Sequence, residues 1–125
     1  MRPDDVVRLT HMRDAAASAL RFVQGAGRSD LDRNEMLLFA PVRAVEVIGE
    51  AAAKVSVEGR AEVPEVRWAA IVGMRNRLVH AYFDVDRDIL WATVIDELPD
   101  LKDRLSRALE ANEQLPEHQR EPRDS

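Results

Sequence analysis

Cysteine is absent from the chain, which excludes disulfides and thiolate-held metals and points to a reducing compartment. Aromatic side chains are scarce, at 5%, while Ala, Leu, Val, Glu and Arg dominate. That balance favours helices over strands. Long apolar runs are also missing: nothing approaches the roughly 18 uninterrupted residues of a membrane span. Met1-Arg2-Pro3-Asp4-Asp5 opens with acids and no apolar stretch, unlike a secretory signal. A soluble, cytoplasmic protein is therefore expected. Excess positive charge is absent too, since the net charge is −5. This argues against a protein that coats nucleic acid by bulk attraction, a mode that needs many phosphate-neutralising cations. Any nucleic-acid function must rest on one concentrated site. The 125 residues are 46% hydrophobic and 33% charged, which suits one globular domain with a core of its own.

The expected fold class is all-α, an antiparallel bundle of four to five helices over residues 1–115, followed by a polar, frayed tail over 116–125. A first helix is predicted from Asp4 to Val23, with Val7, Met12, Ala15, Ala16, Leu20 and Val23 on its inner face and Gly25 and Gly27 stopping it. A second runs from near Ser29 or Asp30 to Val57, with Asp30 or Asp32 as cap and Pro41 expected to kink or split it. Pro64 opens a third, carrying Val66, Trp68, Ile71, Met74, Leu78 and Ala81. Asp84 or Asp86 caps a fourth, with Ile89, Leu90, Val94 and Leu98 inward, and Pro99 starts a fifth. No strand-like alternation competes.

The third helix carries the chemistry. With Arg75 at zero and about 100° per residue, Met74, Leu78, Ile71 and Ala81 share an arc of about 80°, the core face. Asn76 and His80 fall near 100° and 140°, opposite that arc, and Tyr82 returns close to the azimuth of Arg75. Arg77 points elsewhere, near 200°. An imidazole exchanges protons at neutral pH, and a guanidinium matches phosphate oxygens. An amide can orient either. Together they suffice for metal-free RNA cleavage: the base activates a ribose 2′-hydroxyl against the adjacent phosphate, and the cation stabilises the pentacoordinate transition state. DNA lacks that hydroxyl. The spacing alone also fits solvated helix-face arginines and a histidine favoured by the helix C-terminus.

The stretch Arg75-Asn76-Arg77-Leu78-Val79-His80-Ala81-Tyr82 resembles the R-x4-H-x-Y signature of the HepT-like branch of the HEPN superfamily. Glu46-Val47-Ile48-Gly49-Glu50-Ala51-Ala52 resembles that branch's Glu-rich second helix. Trp68, Ile71, Gly73 and Met74 resemble the run before the signature, and Phe83-Asp84-Val85-Asp86, Trp91 and Asp96-Glu97-Leu98-Pro99 with Leu101 the run after it. The resemblance implies an HEPN-like bundle acting as a homodimeric, metal-independent endoribonuclease toxin. Its catalytic pair would be Arg75 and His80, supported by Asn76. It also implies a nucleotidyltransferase antitoxin of the MNT type, which transfers AMP to the signature tyrosine, here Tyr82. No metal or cofactor is expected. The alternative is a non-catalytic HEPN module that binds a nucleotide or the partner transferase.

Other polar residues read as structural. His11 lacks a partner at metal-ligand spacing, and His118 lies in the tail. Glu46 and Glu50 read as a solvated strip or as partners of Arg43 and Lys54 rather than a carboxylate pair. Gly49 and Gly73 suggest close helix–helix approach, and Trp68 and Trp91 core or interface anchors.

Overall fold

A computed structural model describes residues 1–81 and 84–116. Helix α1 spans Pro3–Phe22, with Pro3 in the first turn and Asp4 and Asp5 at the positive end of the helix dipole. It stops where Gly25 takes φ +78°, a conformation open to glycine. Leu9, Met12, Ala16 and Ala19 are fully buried along it. Val7, placed inward by its spacing, lies instead on the outside at 46% exposure, because the buried stripe passes through Leu9.

A 3₁₀ turn, Arg28–Asp32, follows, and α2 (Glu35–Ala53) starts only at Asn34, whose side chain accepts the Leu37 amide at 3.1 Å. Asn34, not Asp30 or Asp32, is therefore the cap; the Asp30 carboxylate accepts the Gly27 amide at 2.8 Å within the preceding turn. Pro41 does not split α2. It is buried inside the continuous helix, so the loss of one amide donor is offset by packing. Lys54 closes α2, and Ser56 opens a separate α3 (Val57–Glu62) where the sequence suggested only a helix end. The Ser56 hydroxyl accepts the Gly59 amide at 3.0 Å and donates to the buried Asp5 carboxylate at 2.6 Å. That carboxylate also takes the Ser56 amide at 2.8 Å, which ties the start of α1 to the α2–α3 corner. A Cβ on Gly59 would sit 2.5 Å from Asp5 Oδ2, so only glycine fits there.

The predicted third helix is shorter and broken. It begins at Trp68 rather than Pro64, as α4 (Trp68–Val72), and continues after Gly73 as α5 (Met74–Leu78). The chain then turns extended: β1 (Val79–Ala81) pairs antiparallel with β2 (Asp84–Val85), a hairpin where no strand was expected. The Leu78 carbonyl, which a longer helix would give to an amide four residues on, accepts the Asp86 amide at 2.7 Å instead. Asp86 caps α6 (Arg87–Ala92) by accepting the Ile89 amide at 3.0 Å. A π-helical turn, Thr93–Glu97, then leads without interruption into α7 (Leu98–Glu113). Pro99 has no amide for the Ile95 carbonyl, which accounts for the wide turn just before it. The fourth and fifth predicted helices are thus one continuous helical run.

The whole is the all-α bundle expected, with one small hairpin as its only extended element among the described residues. Helix α1 lies between α2 and α7, and α2 carries α4 and α5 on its other side. Leu9, Met12, Val45, Ile48, Met74, Leu78, Leu90, Val94, Leu98 and Leu105 are central to the core. Trp68 and Trp91 are half-buried against it, and Trp68 Nε1 donates to the Val63 carbonyl at 3.1 Å. No helix among the described residues is long and apolar enough to cross a membrane.

Candidate active site

Helix α5 is a single short turn-and-a-half with a sharp division of faces. Met74 and Leu78 are fully buried, while Arg75, Asn76 and Arg77 are exposed. The core assignment of Ile71, Met74 and Leu78 holds, and it drives the three polar residues outward together. The two arginines leave in different directions. Arg75 leans to α2, where its Nε donates to Glu46 Oε2 at 3.3 Å. Arg77 leans to the π-helical turn, where its Nη2 lies 3.6 Å from Glu97 Oε1.

The close approach of α2 to α4, the turn just before α5, is set by Gly49. A Cβ there would lie 3.4 Å from the Val72 carbonyl oxygen and 3.6 Å from that of Ile71, so the helix backbones approach closely at this residue, as its position suggested. Glu46 precedes Gly49 by three residues, and Arg75 follows Val72 by three. Stepping back along α2, and forward from α4 across Gly73 into α5, brings the two side chains together. Gly73 plays a different part from the one expected. It is the junction between α4 and α5, with φ −84° and ψ 1°, and a Cβ on it would meet only carbonyls of α4.

His80 departs from the helical wheel. It belongs to β1, and its backbone is the extra residue of an irregular pairing in which Val79 faces Val85 and Ala81 faces Asp84. A bulge of this kind re-aims the chain locally and recurs beside active sites. Asn76 and His80 are therefore not stacked on successive helical turns, because Val79 at φ −115° and ψ 104° ends the helix between them. Tyr82 and the side chain of His80 lie outside the described residues, as does the tail from residue 117.

The hairpin's far end is anchored. Asp86 holds both Leu78 and the first turn of α6. Asp88 on α6 receives Arg28 Nε at 2.5 Å, Arg28 also reaches Asp32 at 3.2 Å, and Arg87 Nε lies 3.5 Å from Asp32. Both carboxylates, Asp88 first, raise the Arg28 guanidinium above its ordinary pKa.

Glu46 is the member of this site that the sequence reading placed elsewhere. Of the two glutamates set against Arg43 and Lys54, Glu50 lies 3.5 Å from Arg43, but Glu46 turns to Arg75 instead. The signal available was the Glu46-x-x-Gly49 spacing, since the glycine marks which side of α2 meets another helix. A groove of about 340 Å³ on the opposite flank is lined by Glu65, Asp96, Glu97 and Asp100 against Arg67 and Arg104. Its acidic excess disfavours phosphate there. No group of three or more acidic or histidine side chains is spaced to hold a metal ion among the described residues.

Comparison with known proteins gives the family. A family model described as "Ribonuclease HepT-like" matches residues 12–108, which includes α5, the hairpin and Glu46. The chain is 34% identical over 89 residues to "Putative RNase MJ1380" of Methanocaldococcus jannaschii, covering 71% of this chain and 82% of that protein. It is 33% identical over 102 residues to "Putative RNase TTE0752" of Caldanaerobacter subterraneus subsp. tengcongensis, covering 82% and 91%. It is 41% identical over 69 residues to "Probable ribonuclease HepT" of Thermococcus cleftensis, covering 55% and 63%. No solved structure matches the chain significantly.

Proposed function

The chain belongs to the HepT-like ribonuclease family, and from that premise we propose that it is a metal-independent endoribonuclease, the toxin of a two-gene toxin–antitoxin module. The observation that carries this reading is the exposed Arg75 on α5, followed five residues on by His80 at the bulge of β1. In this mechanism the His80 imidazole takes the proton of a ribose 2′-hydroxyl. The 2′-oxygen bonds to the adjacent phosphorus, the phosphorus–O5′ bond breaks, and O5′ leaves with a proton. Arg75 binds the non-bridging oxygens and stabilises the charge that builds on them in the pentacoordinate transition state. Asn76, exposed beside Arg75, supports the bound phosphate.

The working unit is a homodimer in which two copies of Arg75 and His80 face one cleft. Such a cleft is locally cationic although each chain carries −5 overall. The partner is an MNT-type nucleotidyltransferase. It transfers AMP from ATP to Tyr82: the phenol oxygen bonds to the α-phosphorus, and pyrophosphate leaves. The added nucleotide brings negative charge and bulk to the signature that also holds Arg75 and His80, and blocks RNA.

The test is RNA cleavage in the presence of a chelator, with DNA of the same sequence as the uncut control. His80→Ala is expected to abolish cleavage while the helical circular-dichroism signal persists. Activity retained in that variant would remove the base from the mechanism. Intact mass of the protein after incubation with the nucleotidyltransferase and ATP reports on Tyr82. The engagement of Arg75 by Glu46 also fits a second reading, a non-catalytic module that binds a nucleotide or the transferase. A wild-type protein that binds RNA in chelator without cutting it would favour that reading.

A further inference from the structure

The Arg75–Glu46 contact differs from the Arg43–Glu50 pair on α2. Arg43 and Glu50 sit on one helix, 64% and 61% exposed, and move together. Glu46 and Arg75 come from different helices, and three residues from each of them the α2 backbone rests at Gly49 against the end of α4, so the carboxylate stands on a fixed support. It is 27% exposed against 48% for Arg75, so the carboxylate is the inner member and the guanidinium the outer one. Only Nε is engaged, at 3.3 Å, which is a long, single-point contact. A phosphate offers the same paired oxygens to a guanidinium as a carboxylate does.

We propose that Glu46 is a built-in stand-in for the substrate phosphate. It holds Arg75 in place while the cleft is empty and surrenders it to RNA. The proposal rests on the ribonuclease reading for its substrate but not for its geometry. A carboxylate at this distance neutralises Arg75 in the free protein, so RNA must compete with it, and the pair is weak enough for a phosphate to win. Glu46 is accordingly a positioning residue. It aims the guanidinium and lowers the affinity of the empty site for RNA that is not correctly seated.

The test uses the full chain and a single-stranded 2′-O-methyl oligonucleotide, which binds but has no free 2′-hydroxyl to attack. Glu46→Gln is expected to tighten binding about two- to fivefold. It should also steepen the plot of log affinity against log salt by about 0.7 per site, the increment for one more unpaired cation on a single strand. With cleavable RNA the same variant should show a lower KM together with a lower kcat, because Arg75 is freed but no longer aimed. Glu46→Asp keeps the charge and withdraws it by one methylene, so its salt slope should match the wild type. Unchanged or weaker oligonucleotide binding by Glu46→Gln overturns the proposal, as does an equal steepening in Glu46→Asp. A wild-type protein that binds the oligonucleotide but never cuts RNA overturns the ribonuclease reading alone and leaves the affinity measurement decisive for Glu46.

Discussion

Replacing Arg75 with alanine should separate activity from stability by a wide margin. The side chain is about half exposed, and its described partner is the Glu46 carboxylate at 3.3 Å. An ion pair of that kind is worth about 0–1 kcal/mol. Alanine is at least as good a helix former as arginine, so a few tenths of a kcal/mol return. The folding free energy should therefore change by less than about 1 kcal/mol, which moves the melting temperature of a domain this size by no more than about 4 °C. The chemistry has no such compensation. A cation aimed at a transition-state oxyanion is worth about 10²–10³ in rate, or roughly 3–4 kcal/mol. The assay is paired: thermal unfolding followed by circular dichroism, and initial rates on a fluorogenic RNA in chelator. A variant within threefold of wild-type activity would refute the role given to Arg75. A melting temperature lower by about 10 °C or more would show that the side chain holds the fold and that its exposure had been misjudged.

The other predictions concern the scaffold. Asp86→Ala removes the α6 cap and should cost about 1 kcal/mol, read in a thermal melt; the Asp86 amide that bonds the Leu78 carbonyl is backbone and survives the change, so kcat measured well below the melting temperature should stay close to wild type. Gly59→Ala drives a Cβ into the buried Asp5 carboxylate and leaves the half-buried Ser56 amide without its acceptor; the expected loss is about 3 kcal/mol, or about 10 °C in a thermal melt. The Asp30 carboxyl lies below its ordinary 3.8, first because it accepts the Gly27 amide and then because of Arg33, so its contribution is present above pH 3.8 and lost as pH falls through the lower folded value. Asp30→Asn should flatten that part of the acid limb in a pH series of denaturant melts.

Helix α1 was legible because its signals agree: Pro3 and two acids at one end, Gly25 at the other, and a stripe of small and apolar residues between. Val7 was misplaced because so alanine-rich a helix leaves its inner face loosely marked. Pro41 misled for another reason. Its local cost is real, but the burial of Leu38, Val42, Val45 and Ile48 around it outweighs that cost, and tertiary packing does not show in a local rule. The hairpin had a readable trace: Val79, Tyr82, Phe83 and Val85 are β-branched or aromatic within seven residues. The helical stripe through Leu78 and Ala81 masked it. Glu46 is a different case, since its partner stands 29 residues away and nothing short of the α2–α5 crossing brings them together.

The break after Leu78 changes what the signature's spacing means. On an uninterrupted helix, Arg75 and His80 would be related by the helix itself, and any substitution that kept the helix would keep the site. In the observed fold they belong to different elements, α5 and β1, joined at Val79. Their relation then depends on contacts distant in sequence: Gly49 and Glu46 on one side of α5, and Asp86 with the Arg28, Asp32 and Asp88 network beyond the hairpin. The core supplies the rigid part, because Met74 and Leu78 are buried to the last atom and fix α5 from below. The polar contacts supply the aim. The five-residue step from Arg75 to His80 thus relies, in this chain, on at least three other segments for its geometry.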